Sequence, residues 1–229
     1  MRPALCIVMP VLDEAGTLGE RLAALQPLRE RGVRVVVADG GSQDDTLAIG
    51  RAGADLALLA PRGRAAQMNA GAAALPAEVL LFLHADTALP ADADRLVLRA
   101  TACRFAWGRF DVRIASQRPL LRLVSALMNL RSRWTGIATG DQAIFVRHEL
   151  FERVGGFPDL PLMEDIALSR TLKRTGPPAC LRARVTTSAR RWERHGAWRT
   201  ILLMWQLRAA YFLGADPRQL AIRYGYRPR

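Results

Sequence analysis

Acidic side chains follow three apolar runs of the sequence, at the point where each run ends. They are Asp13 and Glu14, Asp39, and Asp86. Carboxylate oxygens accept hydrogen bonds from hydroxyl or ring N–H groups, and they are the ligands that a hard divalent cation prefers. Each acid taken alone is better explained as a helix cap or a turn former. Their recurrence on one rim of a sheet favours a binding site instead.

The apolar runs before these acids alternate with helical patterns, which predicts a doubly wound, mostly parallel sheet flanked by helices. The runs 4–10, 33–38 and 79–83 are continuous, as expected for strands covered on both faces. Ligands of such sheets bind outside the carboxyl ends of the strands. The second half is less regular: 107–114 alternates like an edge or mixed strand, and 200–213 predicts a long apolar helix. We therefore expect an α/β fold with a mixed sheet and a C-terminal helical tail.

Composition and charge limit the class of protein. Half of the 229 residues are hydrophobic, which is enough for the core of one compact α/β domain. The net charge is +12, and every basic residue except Lys173 is an arginine. The segment after Ala179 carries eleven arginines against Glu193 and Asp216. A basic surface of this kind could meet nucleic acid, anionic lipid or a phosphorylated substrate.

The sequence favours a cytoplasmic protein. The first apolar run, 4–12, is cut off by two acids and is too short for a signal peptide or a transmembrane helix. Cys6, Cys103 and Cys180 are odd in number and have neither a CxxC nor a zinc-site spacing. A reducing compartment is the plain interpretation.

Five motifs in order resemble glycosyltransferase family 2, whose members have the GT-A fold. They are MPVLDEAGTL, VVVADGGSQDDT, GRAAQMNAG, LLFLHADT, and GDQAIFVR with GGFPDLPLMEDIALSR. The resemblance covers residues 4–175 and is narrowest to small bacterial members with an HAD variant of the DxD motif. It implies an inverting enzyme that moves a sugar from a nucleoside-diphosphate sugar to a hydroxyl acceptor. We expect one domain over 1–229, with a nucleotide-binding half at about 1–105 and an acceptor-side half at about 106–229.

The resemblance implies that the first strand ends hold the donor, a UDP- or GDP-sugar. Pro10, Glu14 and Asp39 would surround its base and ribose. Arg64 fits the family's GRxxQ-like motif at a helix start, where a guanidinium and backbone N–H groups can bind a diphosphate. An exposed loop arginine is the open alternative for Arg64.

A divalent metal ion, Mg²⁺ or Mn²⁺, is the implied cofactor. His84-Ala85-Asp86 occupies the position of the DxD motif, with histidine in place of the first carboxylate. Asp86 would hold the metal while the diphosphate supplies most of the other ligands. His84 would ligate Mn²⁺ better than Mg²⁺, contact the ribose, or only orient Asp86. His195 could also reach the metal, although a surface histidine is the simpler interpretation.

Glu164-Asp165 resembles the family's ED motif, in which the aspartate is the general base. Asp165 would take the proton of the acceptor hydroxyl. Two acids at a helix N-terminus can also serve only the helix dipole. The remaining acceptor-side candidates are Asp141, Gln142, Glu164, and the pair Arg191 and Trp192 of an RW element that lacks the leading glutamine.

The acceptor itself is not identified by the sequence. A lipid-linked acceptor and peripheral membrane contact through the helix 199–213 stay open beside core packing of that helix. No nucleic-acid partner is expected. Two other functions remain as alternatives: a sugar nucleotidyltransferase, and a non-catalytic basic module that binds membrane or nucleic acid on a degenerate transferase fold. The first lacks its glycine-rich, lysine-bearing signature, and no GxGxxG supports a nicotinamide dehydrogenase.

Overall fold

Eight strands form one mixed sheet within residues 2–226, which the computed structural model describes, in the order β3-β2-β1-β4-β7-β6-β8-β5. The strands are β1 Leu5–Val11, β2 Arg34–Asp39, β3 Leu56–Leu59, β4 Val79–Phe82, β5 Thr87–Ala88, β6 Trp107–Ala115, β7 Phe145–Arg147 and β8 Ala179–Ser188. The helices are α1 Ala15–Glu30, α2 Thr46–Gly53, α3 Arg64–Ala74, α4 Ala93–Cys103, α5 Pro119–Thr135, α6 His148–Arg153, α7 Glu164–Thr175, α8 Arg190–His195, α9 Ala197–Phe212 and α10 Pro217–Arg223.

The parallel half of the sheet is the part that the sequence predicted. Strand β1 pairs in parallel with β2 and β4, and β2 pairs in parallel with β3. Strand β7 joins β4 and β6 in antiparallel register, whereas β6 and β8 run parallel. The predicted mixed sheet with flanking helices is therefore confirmed.

Strand β1 explains why its sequence is apolar at every position. Leu5, Ile7 and Met9 pack in a core cluster with α1, while Cys6 and Val8 pack in a second cluster with α3. Successive side chains of a strand point to opposite faces, so a strand covered on both faces must be apolar throughout. The whole of β1 is buried.

Strand β6 is the mixed strand that the alternating segment 107–114 predicts, because it lies inside the sheet, antiparallel to β7 and parallel to β8. Strand β8 was not predicted, because its mixed polar and apolar residues follow no strict alternation. A register shift between Phe110 and Asp111 interrupts the pairing of β6 with β8.

The C-terminal helices fold back onto the N-terminal end of α7. Leu207 of α9 and Leu220 of α10 share a buried cluster with Met163 and Ile166. This packing confirms the predicted helical tail and carries the chain end toward the strand ends. No helix among residues 2–226 is long and apolar enough to cross a membrane.

Candidate functional site

A cavity of about 220 Å³ opens beyond the carboxyl ends of β1 and β4. It is lined by Pro10, Val11, Leu12 and Glu14 after β1, by Arg64 and Gln67 of α3, by His84, Ala85 and Asp86 after β4, and by Tyr226. Five residues singled out in the sequence thus line one cavity: Pro10, Glu14, Arg64, His84 and Asp86. A larger groove of about 800 Å³ lies between β6, α5 and β8 and contains none of these residues.

Asp39 lies at the same rim, beside Val11 in the register of β1 and β2. Its side chain is 0% exposed, and its Oδ1 accepts hydrogen bonds from the N–H groups of Gly41 and Ser42 at 2.8 and 2.7 Å. Its Oδ2 has no hydrogen-bond partner among residues 2–226. An unpaired buried oxygen is costly, so this atom is an acceptor that a further donor could satisfy.

Asp13, the first acid of the series, fastens two loops together. Its N–H donates to Ser42 Oγ at 2.9 Å, and its Oδ1 accepts from the N–H of Gln43 at 2.8 Å. The residue has a positive φ of 52°, which a short polar side chain tolerates. Asp13 is therefore a turn former that holds the loops after β1 and β2 in register.

Gln67 is a positioning residue that the sequence reasoning missed. Its Nε2 donates to the carbonyl oxygens of Val11 at 2.7 Å and Ala38 at 2.9 Å, so it ties the ends of β1 and β2. A side chain at Gly40 would press against Gln67, because an added Cβ lies 3.0 Å from its amide carbon. The signal was present: Gln67 is the last residue of the GRxxQ-like motif, one helical turn after Arg64.

Arg64 and Glu164 join the first turns of α3 and α7. The Arg64 Nε lies 2.8 Å from Glu164 Oε1, and Glu164 is 2% exposed. Burial raises the pKa of Glu164 against the opposing charge of Arg64, and Asp165 adds to the rise. The Glu164 carboxylate is thus committed to orienting Arg64, which is not a free loop arginine. A contact of Glu164 with the acceptor would have to compete with this ion pair.

His84 meets the turn Gly140–Gln142, a single turn of 3₁₀ helix that we call the Gly140 turn. His84 Nδ1 lies 3.5 Å from Asp141 Oδ1, and a side chain at Gly140 would overlap the imidazole ring. Burial disfavours the charged imidazole, but the hydrogen bond that His84 donates to Asp141, together with the negative charges of Asp141 and Asp86, raises the pKa of His84. The imidazole is held by the turn through Nδ1, which leaves Nε2 for another partner, so both the positioning role and the metal-ligand role of His84 stay predictions.

The Gly140 turn also holds Asp165. Asp165 Oδ2 accepts from the N–H of Gly140 at 2.7 Å, and Oδ1 accepts from the N–H of Ile166 at 2.7 Å. Each carboxylate oxygen keeps a second lone pair for another donor. The predicted base is therefore fixed in orientation, partly exposed, and connected through the turn to Asp141 and His84.

Asp86 is partly exposed to the cavity, and its backbone carbonyl accepts from the N–H of Ser188 in β8 at 3.2 Å. Among the residues that the structure describes, no three His, Cys, Asp or Glu side chains converge closely enough to hold a metal ion by themselves. A divalent cation commonly takes ligands from phosphate and water. The donor set at Asp86 thus fits a cation that is held jointly with a diphosphate.

The other acceptor-side candidates lie in different surroundings from one another. Gln142 is 0% exposed and receives the N–H of Thr139 at 3.2 Å, so an acceptor contact would require the Gly140 turn to open. Trp192 is half-buried and packs beside Leu121 of α5. The side chains of Arg191 and His195 lie outside what the structure describes.

Two residues near the cavity were not among the predicted site residues. Tyr226 lines the cavity because α9 and α10 fold back over α7. Arg190 Nη2 lies 3.8 Å from Glu14 Oε2, which brings α8 to the end of β1. Both come from the tail, whose long-range packing no local pattern reveals.

Comparison with known proteins gives the family. The family model "Glycosyl transferase family 2" matches residues 6–147. No curated protein sequence matches the chain. The chain is similar to the solved structure of S. aureus TarS 1-349, with a TM-score of 0.65 and 16% identity over 82% of this chain and 61% of that chain.

Two further structures were solved with ligands. The mannosyltransferase PcManGT from Pyrobaculum calidifontis, in complex with GDP-Man and Mn²⁺, has a TM-score of 0.64 and 22% identity over 100% of this chain and 66% of that chain. Glucosyl-3-phosphoglycerate synthase from Mycobacterium tuberculosis, in complex with Mn²⁺, UDP and glucosyl-3-phosphoglycerate, has a TM-score of 0.59 and 17% identity over 81% of this chain and 71% of that chain. These likenesses confirm the GT-A fold, and the chain spans less than two thirds of TarS 1-349 and of PcManGT.

Proposed function

The chain belongs to glycosyl transferase family 2, and from that premise we propose that it transfers a sugar from a nucleoside-diphosphate sugar to an acceptor hydroxyl. The observation that carries the proposal is one rim where Asp39, Arg64 and Asp86 meet beyond the carboxyl ends of β2, β1 and β4. Ligands of such sheets bind at this edge. The similar structures with GDP-Man or UDP support a nucleotide-sugar donor.

The donor would lie across the strand ends. Asp39 Oδ2 would accept a hydrogen bond from the base or the ribose, next to Pro10 and Glu14. Arg64, oriented by Glu164, would bind the diphosphate with the N-terminal N–H groups of α3. These groups hold the leaving group in place while the sugar faces the acceptor side.

Asp86 would hold a divalent cation, Mg²⁺ or Mn²⁺, together with the diphosphate. When bound, such a cation neutralises negative charge on the departing nucleoside diphosphate. The Mn²⁺ in the two similar structures supports this cofactor. His84 would position the strand end through Asp141 and the Gly140 turn.

Asp165 would act as the general base of an inverting transfer. It would take the proton of the acceptor hydroxyl while that oxygen bonds to the anomeric carbon and the bond to the nucleoside diphosphate breaks. The two N–H groups that bind Asp165 fix the carboxylate for this step. Asp141, half-exposed beside it, would contact the acceptor.

The test of this assignment is turnover with the Asp165→Asn variant. We expect the wild type to release UDP or GDP from a sugar donor, and the variant to bind the same nucleotide but release it about 10²-fold more slowly or worse. Unchanged turnover in a folded variant would remove Asp165 as the base. Release of pyrophosphate from a nucleoside triphosphate and a sugar phosphate would instead indicate nucleotidyl transfer.

We propose in addition that α5 and α9 dock on an anionic phospholipid bilayer. Both helices expose large apolar side chains: Leu123, Leu127, Leu130 and Trp134 on α5, and Trp198, Leu202, Trp205 and Phe212 on α9. These positions recur at helical spacing, so each set forms a stripe. The sequence left core packing of α9 open, and only its inner face, at Leu207, packs in the core.

The two stripes lie on neighbouring helices without acids. Val124 of α5 packs in one apolar cluster with Ala197 of α9. Arg122 and Arg199 are exposed beside the stripes. Apolar area flanked by arginines complements a bilayer with negative headgroups, and it would bring a lipid-linked acceptor near Asp165.

Vesicle co-sedimentation tests this surface. We expect binding to phosphatidylserine-containing vesicles, weaker binding to phosphatidylcholine vesicles, and loss of binding in the double variant Leu127→Glu with Trp205→Glu. Thermal unfolding would verify that the variant is folded. Failure of the wild type to bind, or a stable dimer whose self-association the same variant abolishes, would contradict the bilayer as occupant.

A further inference from the structure

Arg131, near the end of α5, is a half-buried cation that forms no ion pair with any residue that the structure describes. Its Nε and Nη2 atoms are shielded from solvent and make no hydrogen bond with any residue that the structure describes. Burying a guanidinium in this way is unfavourable unless a partner compensates it. Such a group therefore marks a position that an anion would complete.

The neighbouring arginines differ from Arg131 because they have an acidic partner. Arg109 and Arg133 both bind the carboxylate of Asp111. Arg133 also donates to the carbonyl oxygen of Cys180 at 3.1 Å. The carboxylate of Asp111 is thus already paired with two arginines other than Arg131.

Arg208 of α9 adds a second cation beside Arg131. It forms no ion pair with a described residue, and it follows Leu207, which is buried against α7. Burial, and then the positive charge of Arg208, lower the pKa of Arg131 to about 10, although Asp165 opposes them. Ile137, just after α5, packs in the same buried cluster as Leu207, so the end of α5 that carries Arg131 lies against the part of α9 that carries Arg208.

The arginine pair lies beside the proposed base and outside the donor cavity. Neither Arg131 nor Arg208 lines the cavity of about 220 Å³. Burial alone would raise the pKa of Asp141, but the hydrogen bond and charge of His84, and then the charges of Arg64 and Arg208, lower it. Asp165 attracts Arg131 and so offsets part of this positive charge, but its carboxylate forms no ion pair with either arginine.

We propose that Arg131 and Arg208 form an acceptor subsite for an anionic group, a phosphate or a carboxylate, that the acceptor carries near its reacting hydroxyl. The planar guanidinium fork suits both groups, because it can bind two of their oxygens at once. This inference rests on the proposed transferase function and names the class of its acceptor.

Inorganic phosphate is the probe, titrated calorimetrically into protein saturated with UDP and Mg²⁺ so that the donor cavity is filled. We expect the wild type to bind phosphate, and Arg131→Gln and Arg208→Gln each to weaken it about tenfold or more. Arg99→Gln on α4 and Arg218→Gln on α10 change exposed arginines that belong to no proposed binding surface, and they serve as controls. UDP affinity should be unchanged in all four variants.

Thermal unfolding separates ligand binding from a packing role. Without phosphate, Arg131→Gln should be at least as stable as the wild type, since an unpaired charge is removed; a clear loss of stability would overturn the inference. So would an absence of phosphate binding by the wild type, or undiminished binding by Arg131→Gln. Loss of UDP affinity in Arg131→Gln would assign the anion to the donor.

The same titrations distinguish this inference from the proposed function. Failure of the wild type to bind either UDP or GDP would contradict the transferase, while the phosphate titration would still decide the arginine pair. A parallel titration uses dihexanoyl phosphatidic acid. Tighter Arg131-dependent binding of this lipid than of phosphate would place the anion on a lipid, and equal or weaker binding would place it on a soluble acceptor.

Discussion

Asp39 gives one carboxylate oxygen to the N–H groups of its own loop and keeps the other without a partner. The division matters because the first oxygen fixes the orientation in which the second meets a ligand. Arg64 is prepared in the same way by Glu164, and Asp165 by the Gly140 turn. At the residue scale, each proposed functional group is held by a contact that leaves part of it available.

Asp39→Asn tests the unpartnered oxygen. The amide oxygen can still accept from Gly41 and Ser42, but the amide nitrogen would replace Oδ2 and turn an acceptor into a donor. We expect UDP or GDP affinity to fall about tenfold or more, with thermal stability kept or raised. The control Asp45→Asn changes an exposed acid just before the following helix, and equal affinity of the two variants would argue against a nucleotide contact at Asp39.

The elements around the site could be predicted from the sequence where burial imposed a pattern. Strands β1, β2 and β4 are covered on both faces, and their continuous apolar runs and terminal acids revealed them. Nothing local revealed the contacts between elements. Gln67 donates to the carbonyl oxygen of Val11, 56 residues before it in the sequence. Arg64 contacts Glu164, 100 residues after it. Such pairings depend on tertiary packing, which propensity and spacing do not encode.

The close packing of β4 against the Gly140 turn gives a test at the element scale. Gly140→Ala would drive a methyl group into the His84 ring and displace the backbone N–H that holds Asp165. Overpacking of this kind costs about 1–3 kcal/mol, and we expect transfer to be lost with it. Denaturant unfolding would measure the first effect and nucleotide release the second.

Gly16, a glycine of α1, provides the control for the Gly140→Ala substitution. An added Cβ at Gly16 in α1 meets nothing within 4 Å. Gly16→Ala should therefore stabilise the fold by roughly 0.5–1 kcal/mol, because alanine loses less conformational freedom in a helix. Equal effects of the two substitutions would contradict the proposed role of the Gly140 packing.

The burial of β1 predicts the reactivity of its cysteine. Burial, with a small addition from Asp55, raises the pKa of the Cys6 thiol to about 12. Its thiolate forms only as the pH rises toward that value, so Cys6 should resist alkylation between about pH 7 and pH 9. Exposed Cys103 should react readily and half-buried Cys180 more slowly. Mass mapping of alkylated peptides tests this, and labelling of native Cys6 at the rate of Cys103 would contradict it.

At the scale of the whole molecule, the tail connects the two sides of the site. It packs on α7, lines the donor cavity with Tyr226, and presents the apolar stripe of α9 and the cation Arg208. The sequence indicated a basic helical tail but not where it lies, since that depends on contacts with elements far along the chain. The single domain with a boundary between halves near 105 stays a prediction, and the family match over 6–147 extends across that boundary.

Metal-dependent nucleotide binding is the measurement closest to the central claim. UDP and GDP would be titrated calorimetrically into the protein with and without Mn²⁺. We expect one of them to bind at least tenfold more tightly with Mn²⁺, and Asp86→Ala to abolish this difference while Asp92→Ala, an exposed acid before α4, preserves it. A folded wild type that binds no nucleoside diphosphate in a metal-dependent way would contradict the account.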